Sequence, residues 1–204
     1  SNQQIKDHCF RCKYCFQPWK DSIVPGLTEK WSLERMLARE KPHEDRTLFV
    51  CYHGQDSRHD PMYIVANATI RNDIHDKMYN FPMSSIGGPF QIVMDYFTTL
   101  GHCNFCLIPK GHGYWSNRLY EVLFTGCIPV ILSDHIHLPF PDLIPWREIS
   151  IKLPQQSVNE NPQSIANLLF HILYEKPNLV KEMQDKIKKY RCWLNYNEFS
   201  ECSP

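Results

Sequence analysis

The stretch Phe105-Cys-Leu-Ile-Pro-Lys-Gly-His-Gly-Tyr-Trp-Ser-Asn-Arg-Leu-Tyr-Glu-Val-Leu-Phe-Thr-Gly-Cys-Ile-Pro-Val-Ile-Leu-Ser-Asp134 decides the fold. It reads as an apolar strand, a loop punctuated by Gly111 and Gly113, a short helix from Asn117 to Thr125, and a second apolar strand from Ile128 to Leu132. Ser116 or Asn117 supplies the helix cap, and Gly126 a left-handed stop. Leu119, Tyr120, Leu123 and Phe124 turn toward a sheet, whereas Arg118, Glu121 and Thr125 share one face by i, i+3, i+7 spacing. A helix opening just beyond the carboxyl end of a strand presents free N–H groups and the positive end of its dipole. Open α/β sheets bind ligands there, and anions suit the place best. The loop matches neither GxGxxG nor GxxxxGK(S/T), because Lys110 is followed by Gly-His-Gly.

Outward from this stretch the pattern repeats. Thr47-Leu-Phe-Val-Cys-Tyr52 is a buried strand ended by Gly54, and Ile149 to Leu153 is another. Pro61 to Tyr79 suits a helix with proline in its first turn, and Phe90 to Leu100 a further one. Ile165, Leu168, Leu169, Ile172 and Leu173 form a helical stripe, and Leu179, Val180, Met183, Ile187, Tyr190 and Leu194 a second. Trp193 is expected in the core and the charges from Lys181 to Lys189 on a solvated face. Strands alternating with helices imply a Rossmann-like α/β fold, a parallel sheet with helices on both faces. Residues 1–45, with three close cysteines and scattered prolines, read as an irregular segment or interdomain remnant ahead of a domain at 46–204.

The totals narrow the function. Of 204 residues, 22 are basic and 22 acidic, so no excess of positive charge supports a nucleic-acid or membrane-surface binder. An anionic ligand would be held locally. No run of about 18 apolar residues marks a membrane span, and no secretory leader is read at Ser1. Nine cysteines fit an oxidising compartment with one thiol left over, although Cys9-x-x-Cys12-x-x-Cys15 also permits a zinc or iron–sulfur site. Cys106 and Cys127, in apolar strand contexts, read as buried thiols or a core feature and are poor nucleophiles. Asn67-Ala-Thr69 is a glycosylation sequon and points to the same compartment.

Arg118, in the first helical turn, can meet a diphosphate bidentately. Glu121, one turn deeper, can accept hydrogen bonds from the paired hydroxyls of a ribose. Together they describe half of a nucleotide-sugar site. Read alone, the same pair is an ordinary surface i, i+3 ion pair worth about 0.3 kcal/mol. His112 can bind phosphate or sugar, or be an exposed loop histidine. Tyr114 and Trp115 can stack on a base or simply pack. His135 and His137 alternate as metal ligands do elsewhere, but Pro139 and Pro141 follow at once.

Beyond these generic features, Phe105-Cys-Leu-Ile-Pro-Lys-Gly111, Ser116-x-Arg118-Leu-x-Glu121, Gly126-Cys-Ile-Pro-Val130, Ser133-Asp134, Leu138-Pro-Phe140 and Trp146 resemble the exostosin family of glycosyltransferases in order and interval. Lys20-Asp21-x-x-x-Pro25 resembles that family's earlier signature. The resemblance covers roughly residues 15–175. It implies the C-terminal, donor-binding half of a two-domain GT-B fold and sugar transfer with inversion, without a required metal. By matched position, Arg118 resembles the diphosphate-contacting arginine and Glu121 the ribose-contacting acid. Lys110, Gly111, Ser116 and Asn117 fall where the loop wraps the phosphates. Asp134 and His135 fall at the mouth of the same crevice, near the donor sugar.

The resemblance further implies a nucleoside-diphosphate sugar as donor, UDP-linked by preference, and a glycan as acceptor. It implies a Golgi-lumen enzyme of the secretory pathway, membrane-anchored at full length. The family's N-terminal acceptor domain is mostly missing from these residues, and with it the expected catalytic base. Asp21 is the nearest candidate here, and a turn or cap aspartate is its competing reading. The alternative function is a non-catalytic module that binds a nucleotide, a glycan or a partner glycosyltransferase.

Overall fold

The computed structural model describes residues 21–58, 60, 62–65, 69–88, 94–113 and 116–197. Their elements, in chain order, are helix α1 (Lys30–Leu37), strand β1 (Leu48–His53), helices α2 (Met62–Val65) and α3 (Ile70–Lys77), and strand β2 (Ser85–Gly87). Helix α4 (Tyr96–His102), strand β3 (Cys103–Pro109), helix α5 (Arg118–Phe124) and strand β4 (Ile128–Leu132) follow. The chain continues with α6 (Trp146–Ile149), β5 (Ile151–Lys152), α7 (Gln156–Glu160), α8 (Pro162–Glu175) and α9 (Pro177–Tyr190).

The five strands form one parallel sheet in the order β2-β1-β3-β4-β5. Every residue of β3 and β4 is buried, so both faces of the sheet are covered and these strands read as unbroken apolar runs. Pro129 is tolerated in β4 because pairing with β5 begins only at Val130. Phe49 of β1 stacks on Phe170 of α8 at 3.9 Å between ring centroids and meets Phe105 of β3 edge-on at 6.0 Å. The chain leaves β1 for β2 on one side, then returns to β3 on the other. That reversal opens a crevice at the carboxyl ends of β1 and β3.

Several elements differ from the sequence reading. The described residues of 61–79 hold helices α2 and α3, with Thr69 outside both; the Met62 N–H is capped by Asp60 Oδ1 at 3.0 Å. Helix α4 starts at Tyr96, where Asp95 caps it by accepting the Thr98 N–H at 3.2 Å. Strand β5 is confined to two residues because Trp146–Ile149 coils into α6, burying Trp146 and Ile149. Strand β2 has a single apolar side chain and no readable alternation. Within the stretch read as irregular, α1 sends Leu33 and Met36 into the same core as the sheet. Trp193 is 55% exposed, because the final 3-10 turn points Arg191 and Leu194 inward and Trp193 out.

Cys106 and Cys127 are not free thiols: they form a disulfide between β3 and the entry to β4, with Cα atoms 6.0 Å apart. Cys51 and Cys103 form a second, between β1 and β3, also at 6.0 Å. Cys192 is disulfide-bonded too. The cluster Cys9, Cys12 and Cys15 and the sequon asparagine Asn67 lie outside the described residues. No helix among the described residues is long and apolar enough to cross a membrane.

Candidate functional site

Helix α5 opens at the crevice, after the loop that leaves β3. Asn117 is its N-cap residue but makes no side-chain cap bond; Ser116 Oγ accepts the Arg118 N–H instead, at 3.4 Å. The helix ends where Gly126 takes φ +70°, the left-handed stop its sequence foretold. Only seven residues long, α5 has little dipole to offer an anion, so the charge at this place must come from side chains.

That charge is Arg118, and it does not pair with Glu121 directly. Its Nη1 donates to the Tyr96 hydroxyl at 2.8 Å, and that hydroxyl donates to Glu121 Oε2 at 2.7 Å. Arg118 Nη2 donates to the His53 carbonyl at the end of β1. The guanidinium carbon lies 4.8 Å from the Tyr52 ring centroid and 5.6 Å from that of Tyr96, within cation–π range. Burial pulls the Arg118 pKa down, but the fields of Tyr96, Tyr52 and Glu121 outweigh it and the net shift is upward. Its Nε is buried without a hydrogen-bond partner. The plain surface ion pair is therefore not what forms: a tyrosine bridges the cation and the carboxylate.

Arg118 reaches β1 because Gly54 lacks a side chain. A Cβ there would stand 2.6 Å from Arg118 Nη2 and 2.9 Å from the Tyr52 hydroxyl. Next to it, His53 is buried, and burial pushes its pKa below the ordinary histidine value. The Gly88 carbonyl can only accept, so His53 Nδ1 donates to it at 3.4 Å, and Nε2 accepts from Ser85 Oγ at 2.7 Å.

The loop after β3 is held from α3. Arg71, 4% exposed, donates through Nε to the Lys110 carbonyl at 2.9 Å and through Nη1 to the Gln55 carbonyl at 3.0 Å. Its guanidinium lies over Tyr63, 4.4 Å from the ring centroid. One side chain thus ties together the two loops that rim the crevice. Gly111 is buried beneath, and burial lowers the pKa of the half-buried Lys110. His112 Nε2 lies 3.0 Å from Asp60 Oδ2, and its ring 4.3 Å from that of Tyr63.

The structure thus gathers Arg118 and Glu121 at the crevice, with Lys110, Gly111, Ser116 and Asn117 on the adjoining loop. Asp134 and His135 follow β4 in a turn and are exposed. Asp134 Oδ1 accepts the Gln155 N–H at 3.0 Å, and its carbonyl accepts from Lys152 Nζ at 3.1 Å, so it closes the turn toward β5. Asp21 lies in the segment without regular structure before α1; nearby, the Gly26 backbone hydrogen-bonds to the Tyr120 hydroxyl. Tyr114 and Trp115 lie outside the described residues. Sequence reasoning missed Tyr52, Gly54, Arg71 and Tyr96. All come from other elements, and no spacing links them to Arg118.

Comparison with known proteins identifies the family. Residues 13–169 match the family model described as the Exostosin GT47 domain. The chain is 31% identical over 161 residues to a rice protein (Oryza sativa subsp. japonica) named probable glucuronosyltransferase GUT1, covering 78% of this chain and 38% of that one. It is 31% identical over 141 residues to an Arabidopsis thaliana protein named probable beta-1,4-xylosyltransferase IRX10, covering 68% of this chain and 34% of that one. Among solved structures, a glycosyltransferase from Rickettsia africae ESF-5 aligns over 95% of this chain and 47% of its own, with TM-score 0.43 and 13% identity. The chain spans less than two fifths of the length of these two curated relatives. With an arginine and an acid on α5 facing the crevice and the family model matching across the sheet, the chain belongs to the exostosin GT47 family of glycosyltransferases.

Proposed function

We propose that this chain is the donor-binding half of an inverting glycosyltransferase that moves a sugar from a nucleoside diphosphate, UDP by preference, to a glycan. The observation that carries the reading is the Arg118–Tyr96–Glu121 arrangement at the point where strand order reverses. Arg118 meets the diphosphate and Glu121 the ribose hydroxyls. Lys110, Gly111, Ser116 and Asn117 line the phosphates, and Asp134 and His135 stand toward the sugar. The curated relatives' names support the reaction class.

In the transfer, the acceptor hydroxyl oxygen bonds to the anomeric carbon from the face opposite the leaving diphosphate. The bond from that carbon to the phosphate oxygen breaks, and the hydroxyl proton passes to a base. Arg118 offsets the charge that grows on the leaving group, a role a metal ion fills elsewhere, so no metal is required. The base belongs to the acceptor half or to the cleft between the two halves; Asp21 is the candidate within this chain. Work in the Golgi lumen fits the buried disulfides, which persist in oxidising compartments.

Thermal unfolding with nucleoside diphosphates tests the reading. UDP or GDP is expected to raise the melting temperature in a concentration-dependent way, by mass action, and Arg118→Ala to remove the rise. No shift with any nucleoside diphosphate at millimolar concentration overturns it.

A further inference from the structure

We infer that Tyr96 is the positioning residue that couples ribose recognition to diphosphate recognition at this site. The inference rests on the donor-site reading and adds a residue and a specificity to it. The Tyr96 hydroxyl has one proton and two lone pairs. It gives the proton to Glu121 Oε2 at 2.7 Å and accepts from Arg118 Nη1 at 2.8 Å. Burial raises its pKa well above that of an ordinary phenol, so it stays a donor throughout the working pH range. Its ring flanks the Arg118 guanidinium on one side as Tyr52 does on another.

Three consequences follow for a bound nucleoside diphosphate. Glu121 has one oxygen engaged by Tyr96, which leaves Oε1 to accept from a ribose hydroxyl. Arg118 has its plane fixed by two rings and two hydrogen bonds, so it meets phosphate without first losing rotamer freedom. The chain Arg118→Tyr96→Glu121 is a polarised hydrogen-bond relay, and such relays strengthen cooperatively. Charge drawn from Arg118 by a diphosphate is therefore felt at the carboxylate that reads the ribose. No pairing of Arg118 and Glu121 alone would do this, since the two do not touch.

The test compares UDP with 2′-deoxy-UDP, and GDP with 2′-deoxy-GDP, by calorimetry and thermal shift on the wild type and Tyr96→Phe. The variant keeps the ring and its stacking and removes only the hydroxyl. The wild type is expected to prefer the ribonucleotide by about tenfold, the worth of one hydrogen bond to a charged group. In Tyr96→Phe that preference should fall to about twofold or less, because Glu121 is no longer held. UMP, which lacks the second phosphate, should show a smaller ribose preference than UDP in the wild type and an equal one in the variant. If the wild type binds no nucleoside diphosphate, the donor-site reading itself fails. If it binds and prefers ribose, and Tyr96→Phe retains the same preference with equal or weaker affinity, Tyr96 is structural only and the inference is overturned. A fold check by melting temperature on Tyr96→Phe and Tyr96→His, the latter restoring a polar ring atom, keeps a collapsed variant from counting as either outcome.

Discussion

At the scale of single residues, the site depends on positions that carry no charge of their own. Gly54→Ala puts a methyl group 2.6 Å from Arg118 Nη2, and the flexible end of the arginine must move. The methyl also stands 2.9 Å from the hydroxyl of the fully buried Tyr52, so the melting temperature should fall, by less than the clash alone implies because alanine stiffens the unfolded chain by about 0.4–1 kcal/mol. Nucleoside-diphosphate binding should fall at least tenfold, read as a lost thermal shift. His53 gives the site's pH dependence. Its folded pKa lies below its unfolded value of about 6.5, so its contribution to stability is present above that pH. The contribution is lost as pH falls toward the folded pKa, where the unfolded chain already binds the proton. Melting temperature should therefore drop as pH falls below about 6.5, and His53→Gln should flatten that part of the profile.

At the scale of elements, α5 is anchored at its far end by buried cations. Arg46 donates to the Cys103 carbonyl at 2.6 Å and to the Thr125 carbonyl at 2.9 Å, and Arg191 donates to the Phe124 carbonyl at 3.3 Å. Both guanidiniums donate to carbonyls at the end of α5, groups that have no partner within the helix. Glu40 pairs with Arg191 at 2.8 Å. Desolvation lowers the Arg46 pKa to about 10 against the raising field of Glu40, which still leaves it charged at neutral pH. Glu40→Ala strands these cations and should destabilise by about 2–3 kcal/mol in urea, less than a fully buried pair because Glu40 is partly exposed. Gly126→Ala acts at the same end. Its left-handed φ alone costs about 1 kcal/mol, and the new Cβ would meet Arg46 Nη2 at 2.7 Å.

At the scale of the whole molecule, two disulfides hold the central strands. They close loops spanning 52 and 21 residues, so each should contribute about 3–4 kcal/mol through the unfolded state. Cys106→Ala with Cys127→Ala should lower the melting temperature while leaving strand order intact, checked by calorimetry and circular dichroism. Their burial also explains why apolar strand contexts concealed them. A cystine and a buried thiol have the same sequence surroundings, and only strand proximity tells them apart. The same holds for the sheet. Continuous apolar runs announced β1, β3 and β4, and β5 lies within the stretch read as a strand, whereas β2, three residues with one apolar side chain, had too little pattern to read.

The sequence by itself determined the parallel α/β class, the place of α5 between two buried strands, its glycine stop, and the family through Ser-x-Arg-Leu-x-Glu and Gly-Cys-Ile-Pro-Val. These are local properties: periodicity, turn chemistry and motif order all lie within a few dozen consecutive residues. Only the tertiary structure decided what Arg118 and Glu121 do with one another. Helical spacing made them neighbours, open equally to an i, i+3 ion pair and to a shared ligand. Instead, Tyr96, 22 residues upstream of Arg118, stands between them. Tyr52, Gly54 and the His53 carbonyl, from the end of β1, receive the guanidinium. Those contacts exist because the order β2-β1-β3 sets the carboxyl ends of β1 and β3 side by side. Adjacency across a sheet leaves no mark on sequence spacing, and a buried cation takes its partners from whatever the fold brings within reach.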